Sequence, residues 1–240
     1  MDDRFHGTTV VVVGGSSGIG LATARAALDA GAEVVITGRS TERLEAAAGV
    51  LDGRARTAAL DSADEAATRK LFESLEVVHH IFVSAGAVGP GALTADTEQL
   101  RPLLETRVWG SVFAAKYGAP RMTAGGSITF CSGVSSIRPR PGGSSVSSAS
   151  AAAVEALARS LALELAPIRV NVIVPGLVDT PLVSGMFGER HDDAMQAVGK
   201  TLPVGRVGQP EDIADAVLFL MGNGYVTGTT LIIDGGRLLV

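Results

Sequence analysis

The stretch "VVVVGGSSGIG" (residues 10–20) decides how the chain folds. Four β-branched residues in a row read as a strand buried on both faces. The glycines that follow read as a tight turn, and Ile19, Leu21 and Ala24 read as the apolar stripe of a helix. Gly14 permits the turn, Gly18 lets backbone approach a bound phosphate, and Gly20 lets helix pack on strand. Ser16, Ser17 and Ile19 complete the turn at a helix start, whose free N–H groups and positive dipole end suit phosphates. The spacing is Gly-x-x-x-Gly-x-Gly rather than Gly-x-Gly-x-x-Gly, so the context of strand, turn and helix carries the argument for a dinucleotide site.

Apolar β-branched runs continue outward from this unit, at residues 9–13, 34–37, 57–60, 81–84, 127–130, 169–174 and 231–234. Helical patterns fill the gaps at 19–30, 41–51, 63–75, 97–120, 150–165 and 210–221. Strict alternation without a break in composition predicts a single α/β domain over residues 1–240, a doubly wound Rossmann-type parallel sheet of about seven strands with helices on both faces. Residues 177–209 break the rhythm and are expected to be irregular; a substrate lid and an ordinary surface excursion are both open.

Composition narrows the function. Apolar residues make up 46% of the 240, charged residues 19%, and thirty are glycine, which suits close helix-on-sheet packing. The net charge of −5 and the lack of basic runs interleaved with aromatics argue against nucleic acid as a partner. The acidic start "MDDRFHG" and its short apolar run argue against a leader or membrane span, so a cytoplasmic protein with no membrane partner is expected. Cys131, the lone cysteine, lies in a strand pattern and reads as a buried structural thiol.

The second strand ends "VVITGRS". No carboxylate stands there to bond a ribose 2′-hydroxyl; Arg39, with Ser40, is placed to pair with a 2′-phosphate. This favours NADP (NADPH) over NAD.

Together, "GGSSGIG", "LDSAD", "VSAG", "GSITFCSG", "APIRVNVIVPGLVDTP" and "YVTGTTLIIDGG" resemble the short-chain dehydrogenase/reductase family across almost the whole chain. The resemblance implies an NAD(P)-binding oxidoreductase acting on a small molecule, a homotetramer or homodimer. It implies Asp61 and Ser62 near the adenine, Ser84, Ala85 and Gly86 along the ribose, and Pro175, Gly176, Val178 and Thr180 around the nicotinamide.

The family's reaction centre, a Ser, a Tyr, a Lys four residues later and an Asn on the central helix, does not carry over. In register with "AAVEALARSLALELA", the tyrosine position falls on Ser147 and the lysine position on Ala151; a shift by one gives Val146 and Ser150. The serine pair after the fifth strand reads Ser132-Gly133, with Ser135 nearby, and the asparagine position is Arg107 in "TRVWG". Arg107, Ser132, Ser135 and Ser147 are therefore the candidate catalytic residues. A serine cannot replace a phenol as acid, and an arginine is never deprotonated, so Arg107 would stabilise an oxyanion or orient a water, or else face a subunit interface and pair with a carboxylate such as Glu105. Trp109 beside it lines either the site or an interface.

His79 and His80 are expected at the surface, at the end opposite the site. His191 in the 177–209 segment is either an acid–base or solvated, and with Asp192 and Asp193 it does not make a metal set; no metal is expected. Arg138 and Arg140 flank the entrance, reading as anion recognition or a solvated loop. Leu182, Met186 and Phe187 suggest an apolar wall. Three functions remain open: an NADP-dependent reductase of a carbonyl, alkene or imine with a rebuilt proton relay; a non-redox dehydratase, isomerase or cyclase; and an inactive NADP-binding sensor or partner subunit.

Overall fold

The computed structural model describes residues 3–86, 93–139 and 143–240. Seven parallel strands form one sheet in the order β3-β2-β1-β4-β5-β6-β7: β1 Thr9–Val13, β2 Glu33–Gly38, β3 Ala55–Ala59, β4 Val78–Val83, β5 Met122–Cys131, β6 Arg169–Pro175 and β7 Thr230–Ile233. The order reverses between β1 and β4, so a crevice opens at the carboxyl ends of those two strands. β1 shows why the strands are continuously apolar. Val10 and Val12 pack on one side with α1 (Gly18–Asp29), α2 (Thr41–Val50) and α9 (Pro210–Gly222), whereas Val11 and Val13 pack on the other. That second face is covered by α3 (Glu65–Glu73), α5 (Gly110–Gly118) and α6 (Ser145–Glu164).

Four expectations need correction. The helix read across 97–120 is broken: α4 (Thr97–Leu104) passes into a π-turn, Glu105–Trp109, before α5. There the Gly110 N–H reaches the Glu105 carbonyl five residues back, and the Ser111 hydroxyl donates to the Arg107 carbonyl at 2.7 Å. Such single turns recur at functional sites. Residues 177–209 are not irregular: they hold α7 (Pro181–Phe187) and α8 (His191–Gly199). Thr180 caps α7, Pro181 opens it, and Asp192 and Asp193 stand in the first turn of α8, where the helix dipole favours them. Ser145, Ser147 and Ser148, ahead of residue 150, already belong to α6.

The fourth correction concerns the histidine pair. His79 and His80 lie inside β4, and His80 is only 7% exposed. His79 Nδ1 accepts the Thr9 N–H at 3.0 Å, and His80 Nδ1 meets the Ser127 hydroxyl at 2.9 Å while its ring stands edge-on to Phe5. Each imidazole has a polar partner, which is what lets it enter the sheet.

Candidate active site

A cleft of about 570 Å³ lies at the carboxyl ends of β1, β2 and β4. Its floor is the glycine turn, with Gly14, Ser16, Ser17, Gly18, Ile19 and Gly20 all on the wall. Gly14 has φ +90°, and a Cβ there would strike the Ala85 nitrogen at 2.7 Å; at Gly20 a Cβ would fall 2.2 Å from the Gly14 carbonyl. Ser84 holds the turn from the next strand, its hydroxyl donating to the Gly14 carbonyl at 2.9 Å. Ser17 precedes α1 without capping it through its side chain, which leaves the first N–H groups of α1 to a ligand. This cradle fits a pyrophosphate.

Arg39 and Ser40 line the same cleft, and so does Arg43. Ser40 caps α2 by accepting the Arg43 N–H at 3.1 Å, so both arginines flank one helix start. Sequence reasoning missed Arg43; its position one turn into a helix capped at Ser40 was the available signal. Ser62, Ala85, Gly86 and Thr180 complete the predicted wall, joined by Leu60, Thr106, Pro181 and Leu182. Thr180 stands over the turn, its Cγ2 3.1 Å from where a Gly18 Cβ would be.

Eight predicted residues lie off the cleft wall: the catalytic candidates Arg107, Ser132, Ser135 and Ser147, and four residues expected around the cofactor. Asp61 folds its carboxylate onto the Ala63 N–H at 3.0 Å. Pro175 ends β6 in the core, Gly176 packs on the Asp234 backbone, and buried Val178 pairs with Gly208. Of the apolar residues of the 177–209 segment, Leu182 reaches the cleft; Met186 and Phe187 are not on its wall.

The reaction side carries few groups able to move a proton. Ser132 is buried and its hydroxyl is held by Glu155 Oε1 at 2.6 Å, with the Ala151 carbonyl at 3.1 Å. Ser135 sits half-buried in a 3-10 turn, Val134–Ser136, and Ser147 half-buried in the first turns of α6. Ala151 is fully buried. Cys131 ends β5, and burial pushes its thiol up to about 11, leaving it protonated and unreactive.

Arg107 is brought to this place by the π-turn. Its Nη2 lies 3.1 Å from where a Cβ on Gly86 would be, and its Nε is buried without a hydrogen-bond partner. Burial lowers its pKa, while the Cys131 sulfur acts in the opposite sense. Glu105, a candidate partner, pairs with Arg101 at 3.6 Å instead. Trp109 is 53% exposed, stacks on Phe113 and is not on the cleft wall.

His191 is half-buried, paired with two carboxylates, and not on the cleft wall. Its Nε2 meets Asp179 Oδ1 and its Nδ1 meets Asp192 Oδ1, both at 3.0 Å, and the Asp192 hydrogen bond leads the causes that raise its pKa. Arg138 Nη1 donates to the Arg237 carbonyl at 2.9 Å; Arg140 lies outside the described residues. Among the described residues no helix is long and apolar enough to cross a membrane.

Known proteins share this architecture. A family model described as enoyl-(acyl carrier protein) reductase matches residues 13–237. An NADP-dependent (R)-specific alcohol dehydrogenase of Lentilactobacillus kefiri is 35% identical over 251 residues, covering 98% of each chain. Among solved structures, the MalC reductase/Diels-Alderase of Malbranchea aurantiaca superposes with a TM-score of 0.92 at 31% identity, covering 100% of this chain and 99% of that one. A small-chain dehydrogenase in complex with NADPH superposes at 0.83 with 37% identity, covering 97% and 99%. With this sheet order, glycine turn and end-to-end similarity, the chain belongs to the short-chain dehydrogenase/reductase family of oxidoreductases.

Proposed function

We propose that the protein is an NADPH-dependent reductase of a small organic molecule that works without the family's Tyr-Lys pair. The observation that carries the cofactor preference is the pairing of Arg39 and Arg43 on the wall of the glycine-turn cleft. Two guanidinium groups at one helix start suit a ribose 2′-phosphate, and NADH would leave them unused. The alcohol dehydrogenase named NADP-dependent and the NADPH complex among the relatives support the same reading.

The first N–H groups of α1 would hold the pyrophosphate, and Gly86 and Thr180 would border the nicotinamide end. Bound there, NADPH supplies hydride. The chain's own task is then to position the acceptor, to exclude water and to answer the charge that hydride addition creates. Ser132 and Ser135 remain candidates for binding the acceptor through a hydroxyl, and Ser147 for positioning a water. Asp61, Pro175, Gly176 and Val178 would act by shaping the cofactor loops. Residues 177–209 would be the lid, entering the cleft through Thr180, Pro181 and Leu182. A homotetramer or homodimer is in keeping with the apolar groove between α5 and α6, where Val112, Leu157 and Leu161 meet.

Calorimetric titration tests the reading. NADPH should bind at micromolar concentration and NADH more weakly. Arg39→Ala and Arg43→Ala should each weaken NADPH about tenfold, the loss of roughly 1.5 kcal/mol for one charge-assisted hydrogen bond, and leave NADH unchanged. Equal binding of the two dinucleotides would overturn the preference.

A second reading has its own support. Ala151 and Ser150, the two residues that could stand in register with the family's lysine, are both buried, and the MalC relative carries a cycloaddition activity in its name beside reduction. A non-redox reaction in the same cleft would need no proton donor on α6. Product formation with NADP⁺ bound, without change in nicotinamide absorbance, would identify it.

A further inference from the structure

The Arg107 guanidinium lies at the carboxyl edge of the sheet, beside Gly86 at the end of β4 and Cys131 at the end of β5. Its side chain makes no ion pair or hydrogen bond among the described residues, and its Nε is buried. Carboxylates that could have answered it are engaged elsewhere, Glu105 by Arg101 and Glu155 by the Ser132 hydroxyl. A half-buried guanidinium with its Nε shut off from water and no counter-ion costs folding free energy that the protein itself does not recover. Such a group points to negative charge that arrives with a ligand or develops during a reaction. The cofactor phosphates have their own cradle at the glycine turn, so the charge belongs to the acceptor.

We infer that the acceptor is a carbon–carbon double bond conjugated to a carbonyl, and that Arg107 is a catalytic residue that holds the carbonyl oxygen. The inference rests on the reductase reading and names its substrate class. As hydride reaches the β-carbon, the dihydronicotinamide C–H bond breaks and the new C–H bond forms. The alkene π electrons shift, and the pair ends on the carbonyl oxygen as an enolate facing Arg107. Water then delivers a proton to the α-carbon, the C=O bond reforms, and hydroxide takes up the proton of the medium.

The alternatives fit this site less well. A simple ketone would become an alkoxide, a far stronger base at oxygen than an enolate, and would need a proton at once. Arg107 cannot give one, since it stays protonated, and neither the Ser132 hydroxyl, held by Glu155, nor Ala151 replaces the missing donor. A protonated imine would set a second cation against an unanswered guanidinium, with like-charge repulsion strengthened by burial.

The test has a binding arm and a turnover arm. Calorimetry with NADPH comes first, because failure to bind would overturn the reductase reading itself. In the NADP⁺ complex, para-nitrophenol serves as an oxyanion probe with a visible absorbance. The phenolate should bind about tenfold tighter than the phenol, one charge-assisted hydrogen bond's worth, with the preference lost in Arg107→Gln and partly kept in Arg107→Lys. No preference, or one that survives Arg107→Gln, overturns the inference while leaving the cofactor reading in place. In turnover, cyclohexenone should oxidise NADPH faster than cyclohexanone or pyrroline, and Arg107→Gln should slow it about 100-fold, as loss of an oxyanion donor does. A faster ketone or imine, an unaffected Arg107→Gln enzyme, or NADPH binding with no enone turnover would each overturn it.

Discussion

Arg169, buried, and Arg107, half-buried, stand at opposite ends of the same sheet, and they are treated in opposite ways. Arg169 opens β6 at the amino end, 6% exposed, and its fork donates to the carbonyls of Leu220 at 2.6 Å, Met221 at 2.7 Å and Val226 at 3.2 Å. Two of these carbonyls belong to the last turn of α9, where helix geometry leaves acceptors open and the dipole is negative. Arg107, at the carboxyl end, has no such partners. Nε is buried without a partner in both, so the difference lies in the fork: that of Arg169 is a structural tie to three carbonyls, and that of Arg107 has no protein acceptor among the described residues.

The comparison can be broken most directly at Arg169. Replacing it with Met removes three charge-assisted bonds and exposes the end of α9 to no other donor. Stability to urea should fall by about 4 kcal/mol, with cofactor affinity unchanged in the folded fraction. A loss under about 1 kcal/mol would mean that the carbonyls find other partners and that the contrast is not real.

His80 tests the same amino end through pH. Burial first, then the charges of Arg169 and His79, depress its pKa from 6.5 to about 4. The unfolded chain therefore takes up the proton before the folded one as pH falls. The stability of the neutral, buried ring is complete above pH ~6.5 and is lost progressively down to pH ~4, about 3 kcal/mol in all. Urea midpoints measured across that window should fall, and His80→Asn should flatten the slope.

Arg107 should behave in the reverse sense. Arg107→Met removes a cation that the free protein does not pair, so the melting temperature should rise, by the equivalent of about 1 kcal/mol. Destabilisation instead would reveal a structural partner and erase the difference from Arg169. The smallest effect is expected at His191, whose pKa is raised by the Asp192 hydrogen bond and by Asp179. Its charged form ties α8 to the segment before Thr180, and this tie is present at low pH and lost as pH rises through the raised pKa. NADPH dissociation should quicken slightly with pH in the native protein, and His191→Gln should remove that dependence.

Much of the architecture was legible in residues taken a few at a time. The valine run, the glycine turn and the alternation of strand with helix are local demands on backbone and burial, so they survive without knowledge of what lies opposite. Gly14 and Gly20 illustrate this: a positive φ at the first, and at the second a carbonyl that any Cβ would strike, exclude a side chain. Arg39 was legible for the same reason, being fixed by its distance from a strand end.

What escaped depended on partners distant in the chain. His80 looked like a surface residue because a histidine pair is a poor strand signal; Ser127 and Phe5 make its burial affordable. Arg43 became a wall of the cleft only when Ser40 set the start of α2 beside the glycine turn. The helices of residues 177–209 needed the caps and first-turn acids that a periodicity reading passes over. The absence of tyrosine and lysine could be read from the sequence alone, since it is a matter of which residue occupies which register. That Arg107 stands unpaired could not, because a charge is satisfied or left open by groups that only the folded chain brings within reach.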